Sequence, residues 1–233
     1  MGKSFDAALI GEFIPILLSY LHVTLFILAA SLFFGVLLGL LIALPRLYNV
    51  PVLNRIAAVY VSFVRGTPIL IQLFLVFYGV PALLQLVDLD MSRMNPIVFV
   101  IITYALGSAA SISEVIRGAV NAVDRGQLEG AYAVGMTGPQ AFFRIVLPQA
   151  FVIAFPNFAS TVIGFLKDTS LAYSIGVMDM MGRGQTLIAA TAHTLEVYIG
   201  LTIIYYLTVL VLEKGFALTE IRLQRHEQRI ASA

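Results

Sequence analysis

The chain has 233 residues, of which 60% are hydrophobic and 12% charged, with a formal net charge of +1 and no cysteine. Soluble domains carry about 25% charged residues; half that share, with a mean hydropathy of +0.94, indicates an integral membrane protein. The charge balance excludes a basic face for nucleic acid. The missing thiols exclude disulfides, thiolate metal sites and cysteine nucleophiles.

The N-terminal stretch MGKSFDAALIGEFIP lacks a short apolar core followed by a small-residue cleavage site, so no removable signal peptide is expected. A membrane-crossing helix needs about 20 largely apolar residues. Five stretches qualify, at about 13-44, 56-78, 96-116, 150-167 and 197-214, with a polar loop at 119-148. The expected fold is therefore all-α, a single membrane domain over 1-233. In the first stretch, Gly35 and Gly39 have the spacing that permits close helix contact; two glycines by chance in an apolar run are the alternative. Residues 46–65 read as a linker with an amphipathic piece, where Ile56, Val59, Tyr60 and Phe63 share a stripe. The second span either follows Pro68 or reaches back to Ile56 with Arg65 inside it. Residues 79–96 read as a loop containing Asp88 and Asp90, and 168–196 as a second polar segment with Gly176, Gly182 and Gly184. Arg222, Arg225 and Arg229 are spaced as an amphipathic helix in the tail.

Short loops rich in Lys and Arg remain on the cytoplasmic side. Arg46, Arg55, Arg117, Arg125, Arg144, Lys214, Arg222, Arg225 and Arg229 fall on one side, against Lys3, Arg93 and Arg183 on the other. Five spans then put the N-terminus outside, the C-terminus in the cytoplasm and the polar loop in the cytoplasm. No internal repeat is visible, which weighs against inverted-repeat secondary transporters.

Within that loop, EGAYAVGMTGPQAFFRIVLP (129–148) reads as a helical hairpin. Asp124 with Gln127 forms a possible N-cap pair. Gly135 suits the position after a helix end, where φ is positive. Thr137 with Gln140 repeats the cap, with Pro139 in the first turn. Leu128, Ala131 and Tyr132 share one face, Phe142, Ile145 and Val146 turn inward, and Pro148 is expected to end the second helix near Leu147. Such a knob is shaped to dock into a groove of another protein; a loop folded back on its own spans is the alternative.

Glu129-Gly130-Ala131, Gly135 and Ile145-x-Leu147-Pro148 resemble the EAA motif of the membrane subunits of bacterial ABC importers, with Gly130 where alanine is usual. Arg65-Gly66-Thr67-Pro68-x-x-x-Gln72, Glu114-x-x-Arg117-Gly118, Gly126-Gln127-x-Glu129, Leu147-Pro148-Gln149-Ala150 and Lys167-Asp168-Thr169-Ser170-Leu171 resemble segments of the polar amino-acid uptake permeases. Residues 72–81 are similar to those of cystine permeases. The resemblance implies a type I importer transmembrane domain with five transmembrane helices in the bacterial inner membrane. Its partners would be a second permease subunit, identical or not, two ATP-binding subunits, an extracytoplasmic solute-binding protein and the amino-acid substrate. Glu129, Gly130, Ala131, Gly135, Met136 and Thr137 would form the coupling helix that contacts the ATPase.

The chain contains no Gly-Lys-Ser/Thr, so no phosphate-cradling loop is available. His22, His193 and His226 are scattered, so no histidine metal cluster is expected. The chain is therefore expected to be non-catalytic and to carry no cofactor of its own, with ATP and magnesium on the partner subunit. Lys167 is either a lysine snorkelling to the outer interface or, as the resemblance implies, the ammonium that holds a substrate carboxylate. Asn157, Ser160 and Thr161 on the same helix, and Gln72 in the second span, are further substrate-binding candidates; hydroxyl back-bonding and helix contact are their alternatives. Glu114 and Arg117, three apart, are expected to pair structurally. Apart from Glu114, no predicted span holds a carboxylate, so neutral or zwitterionic amino acids fit better than cationic ones. A membrane-embedded scaffold or signalling protein, whose hairpin docks a partner without moving cargo, is the alternative class.

Overall fold

The computed structural model describes residues 4–89 and 93–231, with side chains to Gln224. Lys3, Asp90 and the side chains of Arg225, His226 and Arg229 lie outside the described residues. The chain is all-helical: α1 (Ala7–Leu18), α2 (Leu21–Leu47), α3 (Pro51–Gly66), α4 (Ile69–Gln85), α5 (Pro96–Ala122), α6 (Arg125–Ala133), α7 (Gly138–Ile175), α8 (Met180–Thr191) and α9 (Thr194–Ala231). Four of these, α2, α5, α7 and α9, are long and apolar enough to cross a membrane, and α3 with α4 makes a fifth, bent crossing.

Helices α2 and α5 pack more extensively than any other pair. A Cβ on Gly35 would collide with Ser108 Oγ, and one on Gly39 would sit 3.0 Å from Ile112 Cγ2 and 3.2 Å from Ala109 O. The two glycines thus provide the close backbone approach their spacing suggested. Further along, Arg46 pairs with Glu114. Partner numbers rise together, so α2 and α5 run in the same direction. Helix α7 runs the other way: Phe165 abuts Gly107, the Tyr104 hydroxyl donates to Asp168 O at 2.7 Å, and Val146 packs with Val123 at the far end.

Helix boundaries differ from the sequence expectation in five places. The stretch at 13-44 is not one helix but α1 and α2, interrupted at Ser19–Tyr20. The presumed linker after Arg46 is helix α3, whose Ala57, Val61 and Val64 are buried. The second span is neither straight nor confined to residues after Pro68: α3 and α4 meet at 109°. Thr67, held extended (φ −119°, ψ 142°), obeys the restriction that a following proline imposes. By contrast, Pro81 and Pro148 do not end their helices. Each is preceded by a π-helical turn, Leu75–Gly79 and Phe142–Val146, and Leu147 N–H bonds to Phe142 O. The wider turn relieves the clash a proline ring makes with the carbonyl four residues back. The predicted loop after Gly79 is therefore helical to Gln85, and the hairpin's second helix runs unbroken into α7.

Candidate functional site

Two regions stand apart from the general packing. The first is the hairpin. Asp124 Oδ1 accepts the Gly126 N–H at 2.9 Å and starts α6. Gly135, at φ +81°, ends it: its N–H reaches Tyr132 O at 2.9 Å and the Met136 N–H reaches Ala131 O at 3.0 Å. This is the double closure that a left-handed residue after a helix permits. Gln140 Oε1 then accepts the Thr137 N–H at 2.9 Å and opens α7. Leu128, Phe142 and Val146 seal the hairpin against Ala119, Val120 and Val123 at the end of α5. Ala131 and Ala141 are buried in the turn. A cavity of about 720 Å³ remains beneath it, lined in part by Tyr48, Asp124, Arg125, Tyr132 and Phe143.

Of the predicted coupling residues, Glu129, Gly130, Gly135 and Thr137 are exposed, Met136 is half-buried and Ala131 points inward. A Cβ on Gly130 would meet nothing within 4 Å, so the alanine-to-glycine departure removes no contact. Tyr132, expected to share a face with Leu128 and Ala131, is half exposed where Ala131 is buried. Together with Val134 at 75% and Phe143 at 65% exposure it forms an apolar rim on the knob.

The second region is a face of α7 that no other helix covers among the described residues. Asn157, Ser160, Gly164 and Lys167 are all exposed there, at spacings of three, four and three that keep them on one side of a helix. Thr161 lies beside them, half-buried, with its hydroxyl donated to Asn157 O at 2.9 Å. Its helix-internal bond is the back-bonding alternative. Gln72 is not part of this face. It is 8% exposed, and its amide nitrogen donates to Val64 O at 2.7 Å, Thr67 O at 3.0 Å and Thr67 Oγ1 at 2.9 Å. Those bonds satisfy the carbonyls left open where α3 breaks.

The bend and the polar face are neighbours. A Cβ on Gly107 would lie 3.3 Å from both Ile69 Cδ1 and Phe165 Cε1, so the start of α4 and the last turns of α7 meet across α5. Broken helices beside polar, uncovered faces are how membrane proteins build solute paths within the bilayer. Glu114 is tied to Arg46 and, at 2.7 Å, to Arg117. Its role is to lock α2 to α5.

Two buried acids escaped the sequence reading. Asp179, fully buried, caps α8 by accepting the Gly182 N–H at 2.8 Å. Its Oδ2 has no partner among the described residues. Burial pushes its carboxyl up to about 6, against the lowering effect of the backbone N–H bonds. Glu196, also buried, accepts the Asp6 N–H at 2.8 Å and lies 3.0 Å from His193 Nδ1, joining the N-terminal segment to α9. The cap pattern before Met180 was the signal available for Asp179. Among the described residues, no group of three or more His, Cys, Asp or Glu could hold a metal ion.

Four to five apolar crossings, one of them bent at Thr67–Pro68, with a capped helical hairpin between two of them, give the chain the architecture of a transport-system membrane subunit. Residues 35–222 match the family model described as binding-protein-dependent transport system inner membrane component, and the chain belongs to that family. It is a multi-pass inner-membrane protein, the transport component rather than the ATPase. It is 56% identical over 232 residues to the L-cystine transport system permease protein TcyL of Bacillus subtilis (strain 168), covering 100% of this chain and 97% of that one. It is 35% identical over 225 residues to the probable amino-acid ABC transporter permease protein PatM of Vibrio harveyi, covering 97% and 98%. Its fold superposes on a crystal structure of an amino acid ABC transporter with histidines at a TM-score of 0.85 and 29% identity, covering 94% and 100% of the two chains.

Proposed function

We propose that this chain forms, with a second permease subunit, the translocation path for a zwitterionic amino acid, L-cystine above other cargo. One observation carries the reading: the stripe Asn157, Ser160, Gly164 and Lys167 is uncovered on a helix otherwise suited to lipid. Polar groups cannot face hydrocarbon without cost, so this face borders water, cargo or a second subunit. The identity to the cystine permease TcyL over the whole chain supports the cargo. So does the sign of the stripe's charge: Lys167 is its one charged exposed residue, and it suits a carboxylate.

In this reading two ATP-binding subunits sit beneath the pair and a solute-binding protein delivers cargo from outside. The N-terminus is extracytoplasmic, the C-terminus cytoplasmic, and Glu129 to Thr137 form the contact with the ATPase. The exposed apolar rim of Tyr132, Val134 and Phe143 supplies the area such a contact buries. Closure of the ATPase pair moves the hairpins, and the helices re-pack between two discrete states.

The test is reconstitution in proteoliposomes with the ATP-binding subunit, the binding protein and a panel of amino acids. Cystine should stimulate ATP turnover and accumulate. Tight, ATP-stimulated uptake of arginine by a complex with two identical permease subunits would overturn the zwitterion assignment.

A further inference from the structure

The polar face of α7 ends on two opposite charges. Lys167 is exposed, and Asp168 beside it is half-buried. Asp168 is the last α-helically bonded residue of α7, before the tighter turn Thr169–Ile175. It follows Gly164 by four residues, Thr161 by seven and Asn157 by eleven. Those spacings keep it on their side of the helix, and Ala159, Val162, Phe165 and Leu166 are buried on the other.

The main chain of Asp168 is held in place. The hydroxyl of Tyr104, a side chain only 1% exposed, donates to Asp168 O at 2.7 Å. The Tyr104 and Phe165 rings meet edge to face at 6.5 Å, so α5 fixes this end of α7. The carboxylate itself has no hydrogen bond and no ion pair among the described residues. Successive residues of a helix do not face each other, and Lys167 and Asp168 do not pair. The end of a helix is negative, which favours Lys167 there and disfavours a carboxylate. Partial burial adds a desolvation cost that a bound cation offsets. A carboxylate set against its local electrostatics, on a polar face, marks a functional position.

We propose that Asp168 binds the α-ammonium of the cargo while Lys167 takes its α-carboxylate. The assignment rests on the permease reading above and deepens it. A zwitterionic amino acid carries both charges on one carbon, and α7 presents the two complementary charges on neighbouring residues. The pair also limits the cargo. One acid matches one ammonium, and a cationic side chain finds no second acid on this face, because Asn157, Ser160, Thr161 and Gly164 are uncharged. Cystine repeats the zwitterion at each end, and the pair holds one end.

The experiment uses the full complex with its ATP-binding subunit and binding protein in proteoliposomes. The wild-type complex first fixes which amino acid is carried; a complex that carries none overturns both readings. With that cargo, D168N should lower uptake about ten-fold or more, the loss expected for one charge-assisted hydrogen bond. Cargo-free ATP turnover should stay at the wild-type value, and the thermal midpoint at or above it, because the change removes an unpaired charge. D168C should lose uptake as D168N does. The chain has no cysteine, so a thiol reagent acts on it at this position alone, with the wild-type complex as control. A methanethiosulfonate bearing a sulfonate should label D168C, read as intact mass, and restore part of the uptake. One bearing a trimethylammonium group should restore none. D168N uptake within two-fold of wild type, a lowered midpoint, a D168C that stays unlabelled, or labelling without a specific gain from the sulfonate would each overturn the assignment.

Discussion

The side-chain amide of Gln72 lies 2.7 Å from the main-chain carbonyl of Val64, on the opposite arm of a 109° bend. The same nitrogen reaches Thr67 O and Thr67 Oγ1, while Thr67 Oγ1 donates to Phe63 O at 2.9 Å. Two side chains thus close the open end of α3 where water is scarce. Gln72→Leu keeps the volume and strands these carbonyls. The expected cost is about 1–3 kcal/mol, that of buried groups left unsatisfied, read as a lower thermal midpoint of the detergent-purified complex. Gln72→Glu should cost at least as much, because its carboxylate repels the same carbonyls. An unchanged midpoint in both variants would show that the bend is held by packing alone.

Asp179 gives a pH dependence with a definite sign. Burial raises its carboxyl from 3.8 to about 6. A folded chain then holds a proton that the unfolded chain has released, so stability falls as pH rises through that window. The difference of about two units corresponds to about 3 kcal/mol, fully lost above pH 6. Asp179→Asn retains an oxygen for the Gly182 N–H and removes the titration. Thermal unfolding at pH 4.5 and 7.5 should show the wild type losing stability at the higher pH, while the variant's change is smaller by about 2 kcal/mol, the rest of the loss having already occurred by pH 4.5. Equal slopes in the two proteins would rule out Asp179 as the source.

Gly135 is the one residue of the hairpin whose backbone demands glycine. At φ +81° a β-branched side chain is strained by about 1–2 kcal/mol, and the closure through Met136 and Ala131 is at risk. Gly135→Val should leave the membrane helices folded but reduce co-purification of the ATP-binding subunit and lower cargo-stimulated ATP turnover. Gly130, with open space around it, is the control: Gly130→Ala should bind the subunit as well as wild type does. Retained association and uptake in Gly135→Val would refute a coupling role for the hairpin turn.

Much of this architecture was legible because its signals are local. Caps at Asp124 and Thr137, the left-handed Gly135 and the Gly35–Gly39 pair each follow from a few neighbouring residues; Asp124 caps through the Gly126 N–H without the expected return bond from Gln127, and the other three have the predicted geometry. The prolines were less legible. Pro68 does break its helix, but Pro81 and Pro148 are absorbed by π turns, which leave no composition signature. Gln72 looked like a substrate ligand because a polar residue in an apolar run has two explanations, and only the bend in α3–α4 separates them. Asp179 and Glu196 did not stand out within the polar segment 168–196 because burial there depends on α1, α8 and α9 coming together around Phe13, Leu17, Met180 and Leu201, contacts between segments far apart in sequence.

The polar face of α7 divides into residues that the path uses and residues that the helix uses. Thr161 spends its hydroxyl on Asn157 O, whereas Lys167 is exposed with no ion-pair partner among the described residues. Thr161→Val should therefore change uptake by less than about two-fold, since the lost back-bond is weak. Lys167→Gln should lower it by about ten-fold or more, a charge-assisted contact being worth about 1.5–3 kcal/mol. Both variants should assemble with the ATP-binding subunit and keep cargo-free turnover. Initial rates of labelled-cystine uptake in proteoliposomes, at saturating loaded binding protein, make the comparison. If Thr161→Val proved the more damaging change, the hydroxyl would contact cargo in the transporting state. If Lys167→Gln transported normally, its ammonium would be an interfacial anchor and no part of the path.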